Sequence, residues 1–366
     1  MLTIKYHNFP ILLQKIGARY VFWGVILLLC SPTPGRGHVE EPDGDDLCGG
    51  QCSCRATIVR CFELIHVPKR FPQNTTKIFF EQLVTELIPA DAFRSIPMVK
   101  TIEFSRSNIG RIAGCAFEGL PYLEDLYVIR TVIGSIATMA ISNIATPTSV
   151  VLQLTTVTTL ETAAFSHLTN LTMFQISNCT IHEIDPNVFS DISNVEKGFV
   201  ITRTRLIHFS GPFLHDMQSV GKVTFTENRM ETFPCLALDN IVSTVNQLAI
   251  SDNYINCTCV QLGGSEHWTE HEYVKRQLMN SMCFGLETEQ EMTVKEKLAK
   301  SSCKETKCPA FQARDISRLS CKPERIRRKN NNNDDDINAG NTSQLTTQTL
   351  TLIVLVTLFL STRQHF

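Results

Sequence analysis

The sequence predicts a solenoid of stacked, short, parallel β-strands, and two regularities predict it. Phe93, Phe117, Phe165 and Phe189 are separated by 24, 48 and 24 residues, and Ile141 stands in the skipped slot. A fixed period of this length is the signature of a repeat architecture. Within each period lies an alternating unit, L-x-x-L-x-L-x-x-N-x-L, with fourth and sixth positions apolar. Those pairs are Ile78/Phe80, Ile102/Phe104, Leu126/Val128, Val150/Leu152, Phe174/Ile176, Phe199/Ile201, Val223/Phe225 and Leu248/Ile250. Single-residue insertions near 196 and 243 keep the last three in register. The ninth positions are Leu83, Ser107, Thr131, Thr155, Cys179, Thr204, Asn228 and Asn253.

The alternation gives each segment one buried and one open face, as a strand requires. A lone strand cannot cover its apolar face, but stacked copies cover one another. The small polar ninth residue turns the chain inward and satisfies backbone groups there, since a buried unpaired group costs about 1–3 kcal/mol. The later Phe forms a spine on the convex side. A β-sandwich has no reason to hold one register so long.

Cysteines bracket the repeats. Before them stand Cys48, Cys52, Cys54 and Cys61, after them Cys257, Cys259, Cys283 and Cys303, with Trp268 between. Four cysteines allow three pairings, which spacing alone does not select. Repeats and flanks together resemble the extracellular leucine-rich-repeat family with N- and C-terminal cysteine-rich caps. The resemblance implies an α/β solenoid, a leucine-rich-repeat horseshoe with a parallel concave β-sheet and disulfide caps. It also implies the pairs Cys48–Cys54, Cys52–Cys61, Cys257–Cys283 and Cys259–Cys303. Cys308 and Cys321 lie just beyond and are placed for one further bridge. Cys179 fills a ninth position as a small buried side chain. Cys115 and Cys235 stand about five repeats apart, too far to bond, and read as buried free thiols.

The domain organisation follows: a signal peptide over 1–35, the first cap over 36–74, about eight repeats over 75–255, the second cap over 256–321, a linker over 322–349 and an apolar tail over 350–366. In the first segment, Lys5, Lys15 and Arg19 precede an apolar run from Val21 to Cys30 that is shorter than the roughly 20 residues of a spanning helix. The linker opens on Arg325-Ile-Arg-Arg328 and has an Asn/Asp-rich composition that cannot build a core. Its basic run reads either as a solvated patch or as a secretory cleavage site. Asn338-Ala-Gly, a polar spacer and the apolar Leu350–Leu360 resemble a signal for a lipid anchor attached at Asn338. A short transmembrane helix is the alternative. Sequons at Asn74, Asn170, Asn178 and Asn256 predict glycosylation on exposed backbone, and Asn341 starts a fifth.

Composition is that of a folded protein, 43% apolar and 19% charged with a net charge of −2. The near-neutral balance argues against nucleic acid. His267-Trp-Thr-Glu270-His271 matches an inverted zinc-protease pattern, but it falls inside a cap, with no third ligand and no cleft. The expectation is a non-enzyme without cofactor or bound metal, sited at the cell surface and held there by a lipid anchor or a single helix. It binds an extracellular or cell-surface protein ligand through the concave face; the alternative is a secreted or shed matrix or decoy protein of the same repeat type. The outward positions there give the candidate contacts Glu103, Arg106, Tyr127, Arg130, Gln175, Arg203, Thr224 and Glu227. Arg106, Tyr127 and Arg130 form the favoured cluster, because Arg and Tyr are enriched at interface hot spots.

Overall fold

The computed structural model describes residues 48–321 apart from 49, 145, 210, 235–236, 239–244, 259–261, 263–264, 266–269, 285–290 and 301–318. Nine parallel strands line the concave side: Ile58–Phe62, Lys77–Glu81, Thr101–Ser105, Asp125–Ile129, Thr148–Gln153, Leu171–Ser177, Gly198–Thr202, Met217–Thr226 and Val245–Ser251. Their register stacks the predicted fourth positions in one column, Ile78, Ile102, Leu126, Val150, Phe174, Phe199, Val223 and Leu248. The two insertions are absorbed without loss of register. The column also extends into the first cap, where Val59 pairs with Ile78. The cap therefore continues the sheet, and Cys52–Arg55 closes its edge antiparallel to Ile58–Phe62.

A second parallel sheet of nine strands forms the flank, from Val84–Ile88 through Asn108–Ile112 and Val132–Ile136 to Met282–Phe284. Three convex strands, Ile141–Ser142, Phe165–Leu168 and Phe189–Val195, also pair in parallel. Among the described residues α-helix is confined to the second cap, as Glu272–Met279 and Val294–Lys300. The first helix buries Val274 and Leu278, four residues apart on one face.

Corners between the sheets repeat with the period. The eighth residue of each repeat, Gln82, Arg106, Arg130, Leu154, Asn178, Arg203, Glu227 and Asp252, is left-handed, with φ from 51° to 59°. Left-handed backbone is unfavourable for L-residues. From Gln82 to Glu227 each corner N–H meets a carbonyl of the next coil, as Gln82 does with Ser105 at 3.0 Å and Arg130 with Gln153 at 2.9 Å. The coils pack closely enough that a Cβ on Gly134 would stand 2.3 Å from the Gly110 carbonyl oxygen.

The ninth side chains form a hydrogen-bond ladder. The N–H of Leu83 donates to Ser107 Oγ at 3.1 Å and that of Ser107 to Thr131 Oγ1 at 3.3 Å. Further on, Thr204 donates to Asn228 Oδ1 and Asn228 to Asn253 Oδ1, both at 3.0 Å. The Asn228 and Asn253 amides then donate to the Ile201 and Phe225 carbonyls, both at 2.9 Å. This buries every ninth polar group with a partner, as the desolvation cost demands.

Cys179 occupies a rung of that ladder and is buried as a free thiol. Burial pushes its pKa up to about 11, against backbone hydrogen bonds from its neighbours. A thiol raised in the fold stabilises it below the unfolded pKa, near 9, and that contribution is lost as pH rises through 11. Between pH 9 and 11 the wild type should therefore lose about 2–3 kcal/mol more stability than Cys179→Thr, which keeps the rung. Urea unfolding of both proteins across that range checks it; parallel curves would refute it.

The core carries two rows of phenylalanine. Phe93 stacks on Phe117 at 5.4 Å and Phe165 on Phe189 at 5.3 Å along the convex side, with buried Ile141 between the pairs. From the concave strands, Phe80 stacks on Phe104 at 5.0 Å and Phe174 on Phe199 at 4.8 Å.

Among the described residues, three disulfides lie within the caps, Cys48–Cys54, Cys52–Cys61 and Cys257–Cys283. A fourth corrects the sequence reading. Cys115 is not a buried free thiol and Cys321 does not pair with Cys308; the two are bonded to each other, with Cα atoms 5.6 Å apart. Cys115 sits half-buried at a left-handed convex corner, φ 63°, where a returning chain can reach its sulfur. A bond between residues 206 apart belongs to no repeat and leaves no periodic trace in the sequence. Cys235, Cys259, Cys303 and Cys308 lie outside the described residues, as do the signal segment, the Arg325–Arg328 run, Asn338, Asn341 and the apolar tail. Among the described residues no helix is long and apolar enough to cross a membrane.

Candidate ligand-binding face

Register assembles the open face of the concave sheet column by column. The central column reads Arg60, Phe79, Glu103, Tyr127, Val151, Gln175, Val200, Thr224 and Ala249. Beside it run Phe62, Glu81, Ser105, Ile129, Gln153, Ser177, Thr202, Thr226 and Ser251. Neighbours in a column stand about 4.8 Å apart. The face is therefore divided: charged and aromatic over the first coils, small and mostly uncharged beyond Val151.

In the first half the Arg60 guanidinium lies 4.2 Å from the centre of the Phe79 ring, a cation–π contact. Burial raises the pKa of the Glu103 carboxyl; Arg60 opposes this and Glu81 adds to it. Tyr127 donates its hydroxyl to Asp125 Oδ1 at 3.0 Å. Burial, then that hydrogen bond, raises the pKa of the phenol. Arg106 forms an ion pair with Glu81 of the preceding coil. Arg130, exposed one coil further on, forms no ion pair among the described residues. Next to this group, Gln51, Ser53, Arg60, Phe62, Phe79 and Glu81 line an open cavity of about 260 Å³.

The structure thus brings Glu103, Arg106, Tyr127 and Arg130 together on adjacent coils. It places the other four candidates apart from them. Gln175 lies beyond the buried Val151 and donates to Ser177 Oγ at 2.9 Å. Thr224 sits between Val200 and Ala249. Arg203 grips Glu227 with two hydrogen bonds, 2.8 and 3.2 Å, which holds the Glu227 carboxyl below its ordinary range. Exposed pairs of this kind contribute little to stability.

Sequence reasoning missed Arg60, Phe62 and the cavity. The signal was present, since Val59 and Cys61 alternate with Arg60 and Phe62. However, Val59 precedes Ile78 by 19 residues rather than 24, so the strand fell off the lattice.

Asn74, Asn170 and Asn178 are exposed, and Asn178 stands on the rim between Leu154 and Arg203. Asn256 is half-buried, and its Oδ1 accepts from the Thr258 N–H at 3.2 Å. Of the histidine pair, His271 caps the start of the helix Glu272–Met279 and His267 lies outside the described residues.

The family model described as BspA type Leucine rich repeat region matches residues 73–208 in six copies. No curated protein matches the sequence. Among solved structures, the chain is similar to human 5T4 (Wnt-activated inhibitory factor 1, trophoblast glycoprotein) at 16% identity and a TM-score of 0.33, over 60% of this chain and 87% of that one. It is similar to a chain of the octameric complex of Latrophilin 3, Unc5D and FLRT2 at 14% identity and a TM-score of 0.27, over 70% of this chain and all of that one. The matched repeats coincide with the stacked coils, and the fold is a leucine-rich-repeat solenoid flanked by disulfides.

Proposed function

We propose that the chain is a cell-surface binding protein that takes a protein ligand on the first half of its concave face. The observation that supports this is the grouping of Arg60, Phe79, Glu103, Tyr127 and the exposed Arg130 on one rigid parallel sheet. Aromatic and arginine side chains on a preorganised surface are what interface hot spots are made of. A broad, gently curved sheet fits a protein better than a small substrate. The disulfides fit an oxidising compartment. The chain acts by binding and not by catalysis, and the lipid anchor at Asn338 or a short apolar helix holds it at the membrane. A sugar at Asn178 would screen the later rim of the face.

A cell-surface binding screen with the full chain tests this reading. Changing Tyr127 and Arg130 together to Ala should weaken the strongest interaction at least tenfold, the effect of one hot spot. Thr224→Ala should leave it unchanged. Equal binding by both variants would remove the first half of the face from consideration. Release of the protein from cells by phospholipase would favour the lipid anchor over the helix.

A further inference from the structure

The bond between Cys115 and Cys321 fixes the place of the last described residue. Cys115 stands at the convex corner of the second repeat, after the flank strand Asn108–Ile112. That corner is held from both sides. The Asp91 N–H donates to the Cys115 carbonyl at 3.1 Å, and the Cys115 N–H donates to the Met139 carbonyl at 2.9 Å. Cys321 Sγ also lies 3.6 Å from Ser142 Oγ, on the convex strand of the next coil. Cys321 is thus seated on two adjacent coils.

The preceding helix, Val294–Lys300, packs at the other end of the molecule, against the last flank strand Met282–Phe284. Between that strand and Asn108–Ile112 the flank order has seven steps, about 34 Å at about 4.8 Å each. The residues from 301 to 320 can extend over roughly 65 Å, so the return is well within reach.

We propose that the tail, residues 322–366, leaves the molecule from the convex back of the second repeat and not from the C-terminal cap. Where the tail is held at a membrane, it starts from the side of the solenoid opposite the concave coils carrying Glu103, Tyr127 and Arg130. Sequon placement fits this geometry. Asn74 and Asn170 precede concave strands, Asn178 follows one and Asn256 ends a flank strand. Of the convex stretches 89–98, 113–122, 137–146 and 161–170, only the last holds a sequon, Asn170 at its final position. The membrane-facing part of this inference rests on the cell-surface reading above; the exit point does not.

The test is energy transfer in the full-length protein, with an acceptor dye at residue 330 of the tail. A donor is placed at Arg94, exposed near the corner, or at Lys295 in the C-terminal cap. A dye pair with a short transfer radius is used. Transfer from Arg94 should exceed transfer from Lys295 several-fold, and Cys321→Ser should abolish that bias. Equal transfer, or more from Lys295, would overturn the proposal, as would an unchanged bias in a folded Cys321→Ser protein. The wild-type comparison decides the matter even where the variant does not fold. Antibody binding to intact cells is scored separately. An Arg94-biased protein absent from the surface supports the exit point and defeats the cell-surface reading.

Discussion

Phe174→Ala should destabilise the solenoid by about 4 kcal/mol, near the centre of the range for burying and then deleting an aromatic ring. Phe174 is fully buried and touches rings on three sides, Phe199 at 4.8 Å, Phe165 at 5.0 Å and Phe189 at 5.1 Å. The cavity left behind cannot collapse easily. Each neighbouring ring is carried on a strand whose position is fixed by the coil above and the coil below. In a stacked repeat the stability is a sum over neighbour interfaces, so the loss falls on two of them at once. Phe174→Leu keeps most of the volume and should cost under about 1.5 kcal/mol. Phe62→Ala, at a ring 47% exposed, should stay within about 0.5 kcal/mol. Urea midpoints of the three variants separate buried spine from open face. A Phe174→Ala protein within about 1 kcal/mol of wild type would mean that the rings are not the core.

The same rings show why so much of the fold could be read from the chain. Each coil buries the same face against the next, so Ile78, Ile102, Leu126 and Val150 obey one spacing and reveal the column. The flank sheet obeys a different rule. In Val84–Ile88 only Thr85 and Ile88 are buried, three residues apart, and in Asn108–Ile112 the same two positions are Ile109 and Ile112. That pattern is neither the alternation of a strand nor the period of a helix, so the sequence carried no strand signal there. The candidate face was legible in part. Outward positions follow from alternation, which found Glu103 and Tyr127. What each side chain is bonded to depends on its neighbour a coil away. Hence the engagement of Arg106 by Glu81 and of Arg203 by Glu227, and the isolation of Arg130, emerged only with the coils stacked. The Cys115–Cys321 bond was illegible for a related reason: it joins residues 206 apart and belongs to no repeat.

That bond carries the second large effect. Replacing both Cys115 and Cys321 by Ser should lower stability by up to about 5 kcal/mol, the chain-entropy value for so long a loop. The cap disulfides among the described residues close separations of only 6, 9 and 26 residues and constrain the unfolded chain less. The long bond also changes how the solenoid fails. Without it, interactions run only between adjacent coils, and the C-terminal cap can fray while the first coils stay folded. With it, opening the cap still leaves the chain tied to the second repeat, so the ends are coupled and unfolding is more concerted. The double variant should therefore melt about 5–15 °C lower. Hydrogen exchange should accelerate first in Glu272–Met279, while Lys77–Glu81 keeps its protection. A midpoint within about 2 °C of wild type, with exchange in that helix unchanged, would show that the strap adds nothing to a solenoid already held by its neighbours.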